Sequence, residues 1–111
     1  MKAAVYSETG APSVFRYEDL PDPDCRPGGV IVEIKAIGIQ GGDTVNRRGG
    51  MMAARPHVVG YQASGIIKQV GDRVTDRHVG DRVVATMAFG SHAELASVPA
   101  GSTYLLPASL S

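Results

Sequence analysis

The chain has 111 residues, 43% of them hydrophobic, and eleven Lys and Arg balance eleven Asp and Glu to leave no formal net charge. This length supports one domain, able to bury very roughly two thirds of the surface its unfolded form exposes. A neutral balance leaves no electrostatic footprint for nucleic acid or an anionic membrane, and no run approaches the ~18 apolar residues of a bilayer-spanning helix, so neither partner is expected.

Fourteen glycines and seven prolines punctuate a series of short β-branched runs, the pattern of a compact β-domain. In chain order the predicted strands are residues 2–6, 14–18, 30–37, 64–70, 81–88, 92–98 and 103–106. The clearest is 30–37, whose second half alternates, sending Glu33 and Lys35 to one face and Val32, Ile34 and Ala36 to the other. Only residues 43–48, with Asp43 as a cap, and the segment after Pro107 ending in Ser111, also a candidate cap, read as helical. Six or seven strands with one or two short helices predict a mainly β barrel occupying residues 1–111.

Val70-Gly71-Asp72-Arg73-Val74 recurs as Val79-Gly80-Asp81-Arg82-Val83. The offset is too short for a solenoid repeat, so the pair reads as two similar turns, with glycine supplying positive φ and aspartate bonding nearby amides. The single Cys25 can form neither an intrachain disulfide nor a thiolate cluster, and the opening Met1-Lys2-Ala3-Ala4-Val5-Tyr6 lacks a long apolar signal segment. A reducing, cytoplasmic setting is the expectation. His57, His78 and His92 fall in different predicted segments without a ligand pair at helical spacing; each reads as an ordinary surface or partly buried imidazole, and no metal is expected. Arg47-Arg48-Gly49-Gly50 reads either as a solvated basic turn or as a phosphate contact.

Gly38-Ile39-Gln40-Gly41-Gly42-Asp43, Gly60-Tyr61-Gln62-Ala63-Ser64-Gly65, Val70-Gly71 with Val74, Gly80-Asp81-Arg82-Val83 and Leu106-Pro107 occur in one order along nearly the whole chain. Together they resemble the N-terminal catalytic domain of the medium-chain dehydrogenase/reductase superfamily, nearest to its zinc-independent quinone oxidoreductase branch. The resemblance implies a partly open GroES-like β-barrel. It also implies that Gln40, Tyr61 and Gln62 stand where zinc enzymes carry Cys, His and Glu, so none of the three offers a zinc ligand. Gly42 stands where the zinc alcohol dehydrogenases commonly place a proton-relaying Ser or Thr, which argues against alcohol oxidation by that route.

The same resemblance sets Gln40, Gly41, Gly42, Asp43, Thr44 and Val45 beside the nicotinamide and its ribose. Paired glycines permit close backbone approach, and Gln40 and Thr44 can hydrogen-bond a carboxamide or hydroxyl; the alternative is a plain glycine turn between strand and helix. Relatives often carry Asn for Gln40 and Tyr for Val45. Gln40, Tyr61 and Gln62 are the candidate catalytic residues, with Tyr61 either donating to a substrate oxygen or simply packing. Without a Lewis acid the fitting substrate is already electrophilic, a quinone or conjugated enone reduced by hydride from NADPH.

No G-x-G-x-x-G lies between a strand and a helix, so the dinucleotide is expected to be held mainly by a Rossmann domain that these residues do not include. The isolated chain is therefore expected to be inactive. Apolar Met51-Met52-Ala53-Ala54 beside the cleft would favour self-association, and relatives are often homo-oligomeric. Two further readings stay open: a non-enzymatic barrel that binds a partner, and a metal-dependent dehydrogenase with unusual ligands.

Overall fold

A computed structural model describes residues 1–50, 52 and 54–110. Eight strands, β1 (Lys2–Tyr6), β2 (Arg16–Asp19), β3 (Gly29–Ile37), β4 (His57–Val58), β5 (Gln62–Val70), β6 (Arg82–Thr86), β7 (Leu95–Pro99) and β8 (Thr103–Leu105), accompany one helix, α1 (Gly41–Gly49). They form two antiparallel sheets, ordered β2-β1-β4 and β7-β3-β5-β6-β8. An isolated bridge between Ala3 and Ala93, with Ala4 N–H donating to His92 O and Glu94 N–H to Lys2 O, stitches the sheets along one side. The result is the expected mainly β, partly open barrel.

The core lies inside the five-stranded sheet, where Val30, Val32, Ile67, Val83, Ala85, Ala96 and Val98 pack together. In β5 as far as Ile67, and in β6, every second residue is buried, the period a half-buried strand imposes. The interior strand β3, between β7 and β5, departs from simple alternation. Its first four residues are buried on both faces; beyond them Lys35 is exposed and Glu33 half-buried as the sequence predicts, but Ala36, expected on the inner face with Val32 and Ile34, is exposed because the register shifts between Ile34 and Ala36. There Glu33 pairs with Lys35 and Lys68, which hold its carboxyl down at about 2.

Several element boundaries differ from the sequence reading. Residues 12–14 form a single 3₁₀ turn before β2, and the strand expected from His92 begins at Leu95 because the preceding residues serve as the stitch to β1. β4 is too short to leave a pattern. The segment after Pro107 closes in a turn, with Leu110 N–H donating to Pro107 O, so α1 is the α-helix of the described residues; Ser111 lies outside them.

The recurrent Val-Gly-Asp-Arg-Val segments are turns, but only Gly80 has positive φ, +95°. Gly71 serves through close approach, since a Cβ there would sit 2.1 Å from Arg26 O. Asp81 accepts from His78 N–H at 2.8 Å, as the aspartate of such a turn does.

Candidate functional site

The β3–α1 junction and the β4–β5 junction lie against one another. Gln40 precedes α1, its carbonyl accepting from Asp43 N–H at 3.0 Å while Asp43 Oδ2 accepts from Gln40 N–H at 2.9 Å. This reciprocal closure starts the helix at Gly41, two residues before the predicted boundary. Asp43 is the third helical residue, yet its carboxylate still caps from that position.

Gln40, Gly41, Thr44 and Val45 are exposed, and a Cβ on Gly41 would meet nothing within 4 Å. Asp43 is the exception in the predicted segment. It is 3% exposed and faces inward, so its carboxylate supports the segment from behind. Thr44 Oγ1 donates to Gly41 O at 2.7 Å, leaving lone pairs as its remaining outward capacity.

Tyr61 and Gln62 flank this segment on two sides. The Tyr61 ring lies over Gly42, where a Cβ would come within 2.8 Å of Cε2 and 3.0 Å of the hydroxyl; only glycine admits this contact. Asn46 Nδ2 donates to the Tyr61 hydroxyl oxygen at 2.7 Å. Gln62 opens β5 and lies against Gly38, in a shallow groove of about 300 Å³ lined also by Ile37, Ser64 and Val84. The fold thus gathers the candidate residues other than the inward-facing Asp43 along one exposed edge.

Behind the patch is a buried polar cluster that the sequence reading missed. Gly60, at φ +122°, has no Cβ where Ser91 Oγ and His92 Cδ2 stand, so the Ser91 and His92 side chains pack directly against its backbone. This brings His92 Nε2 to 3.8 Å from Asp43 Oδ2. Burial pushes His92 below the usual imidazole range while Asp43 pulls it up; burial, with Asp43 adding to it, raises the Tyr6 phenol. The Tyr6 hydroxyl, Asp43 Oδ1, Ser91 Oγ and His92 Nε2 are buried without a hydrogen-bond partner.

Arg47-Arg48 forms the last turn of α1, with Arg48 exposed and Arg47 half-buried, its Nε donating to Gly10 O at 3.2 Å. His57 is buried between Tyr6 and Phe89, and His78 is exposed near Asp81. Among the described residues no three His, Cys, Asp or Glu side chains converge as a metal site, and no helix is long and apolar enough to cross a membrane. In the predicted self-association segment Met52 is half-buried and Ala54 exposed, while Met51 and Ala53 lie outside the described residues.

Residues 26–108 match the alcohol dehydrogenase GroES-like domain. The chain belongs to that family. The GroES-like family relationship carries it into the medium-chain dehydrogenase/reductase superfamily, as the motifs imply. A probable quinone oxidoreductase of Schizosaccharomyces pombe is 36% identical over 94 residues, covering 84% of this chain and 29% of that protein. The solved quinone oxidoreductase of Pseudomonas syringae superposes with a TM-score of 0.93 at 33% identity, covering 99% of this chain and 34% of its own. That of Escherichia coli, solved in complex with NADPH, gives 0.94 at 31% identity, covering 100% and 35%. The chain spans about a third of the length of these GroES-like relatives.

Proposed function

We propose that this chain is the barrel portion of the catalytic domain of a zinc-independent, NADPH-dependent reductase of quinones or conjugated enones, working in a reducing, cytoplasmic setting. The observation that carries the reading is the exposed Gln40–Val45 edge, set against Tyr61 by Gly42 and backed by Asp43. Open space over Gly41 and the exposed Gln40 amide fit a flat carboxamide-bearing ring or a ribose hydroxyl. The E. coli quinone oxidoreductase with NADPH supports the choice of cofactor.

When bound, NADPH supplies a hydride. The residues of this chain contribute orientation and a hydrogen-bond donor. Because the Tyr61 oxygen accepts from Asn46, its own hydrogen is left to donate elsewhere, and a substrate oxygen gaining negative charge is a suitable acceptor. Gln40 and Gln62 offer neutral amides, and with Tyr61 they leave the aligned ligand positions without the Cys, His or carboxylate donors that catalytic zinc takes.

The test is loss of NADPH absorbance when the natural full-length product meets a benzoquinone in the presence of EDTA, with the 111-residue chain as control. Turnover in the long form that survives chelation is expected. Chelator-sensitive turnover would overturn the zinc-free reading, and no turnover with quinone or enone acceptors would favour a binding module instead.

A further inference from the structure

Asp43 and His92 meet behind the exposed segment, their side chains only 4% and 10% exposed. His92 is fixed to the barrel wall by its own backbone: its N–H donates to Val59 O at 3.1 Å and its carbonyl accepts from Ala4 N–H at 2.9 Å. Asp43 is fixed to the start of α1, where Oδ2 receives the Gln40 N–H. Their contact therefore ties the wall to the helix start. Asp43 Oδ1 and His92 Nε2 are both buried without another partner, and a buried carboxylate stripped of water needs a donor facing it.

We propose that His92 is a positioning residue for the Gln40–Val45 segment: it presents Nε2–H to the Asp43 carboxylate and so keeps that carboxylate on the Gln40 amide. At 3.8 Å the attraction is electrostatic and longer than a hydrogen bond, but the surroundings exclude water and screen it little. Either the neutral tautomer protonated at Nε2 or the imidazolium presents this hydrogen. The fully buried ring of Tyr6 already supplies aromatic packing to the wall, so what distinguishes His92 is its polar edge.

The consequence for cofactor binding rests on the reductase reading; the contact does not. The test accordingly uses the 111-residue chain and needs no activity. Nitrogen-15 spectra of His92 at neutral pH are expected to show Nε2 protonated, and a bare Nε2 would overturn the proposal. Amide exchange at Gln40 is expected to accelerate roughly tenfold or more in His92→Phe, which keeps a ring but has no donor, the scale of a lost bond to a charged group. His92→Gln, whose amide nitrogen reaches the same place, is expected to restore most of the protection. A role in packing alone predicts the reverse order, Phe tolerated and Gln not, and that order would sink the proposal even if the full-length protein proves an active reductase.

Discussion

Asn46 and Tyr61 join α1 to the start of β5 through a 2.7 Å hydrogen bond, with the amide donating and the phenol oxygen accepting. The bond fixes the ring over Gly42 and decides which way the phenolic hydrogen can point. Asn46→Ala should cost about 1 kcal/mol of stability, the net worth of a neutral hydrogen bond. A double-mutant cycle with Tyr61→Phe by urea unfolding should return most of that as coupling energy; strictly additive losses would mean the bond contributes nothing in solution. On the proposed reductase function, Tyr61→Phe in the full-length protein should lower kcat for quinone reduction more than it raises KM for NADPH.

Adjacent glycines in α1 should respond oppositely to alanine. Gly42→Ala drives a Cβ to 2.8 Å from the Tyr61 ring and should destabilise by about 1–3 kcal/mol. Gly41→Ala meets open space in a helical conformation and should stabilise by ~0.5 kcal/mol through the unfolded state. Denaturant midpoints of the two variants check the contrast.

Stability should fall on mild acidification. Burial depresses both His57 and His92, so the unfolded chain, with imidazoles near the ordinary 6.5, takes up protons first. Their contribution is complete above about pH 6.5 and is lost as pH falls toward the folded values. Glu33 acts in a separate window: held at about 2, it loses its contribution only between its ordinary 4.5 and that value. Urea midpoints at pH 7.5 and 5.5 should therefore differ, lower at 5.5, before Glu33 is involved; equal midpoints would contradict the burial argument.

Arg77 pins the last strand. Its Nε donates to Thr103 Oγ1 at 3.0 Å and a terminal nitrogen to Thr103 O at 2.9 Å, while Thr103 Oγ1 donates to Ala100 O at 2.6 Å. Arg77→Ala should cost about 1–3 kcal/mol and speed amide exchange in β8, and Arg77→Lys should not recover it because one ammonium cannot reproduce the fork.

The strands at residues 2–6, 64–70 and 103–106 were legible because alternation and turn residues are local signals, and each is present within a residue or two of its predicted bounds. The helix start was misplaced because Gln40 and Asp43 close it jointly, an arrangement that Asp43 alone does not announce. The strand predicted from His92 began late for a different reason: residues 92–94 are held by β1, a partner far away in the chain.

The sequence by itself determined the mainly β architecture and the family, and proposed the segment around Gln40, since periodicity, glycine spacing and motif order are all written along the chain. Only the tertiary structure decided that Asp43 turns inward to His92, that Tyr61 rests on Gly42 in the grip of Asn46, and that Arg47 Nε bonds Gly10 O. The physical reason is that a polar side chain's role is set by the partner it meets once buried, and each of these partners arrives from another element of the fold.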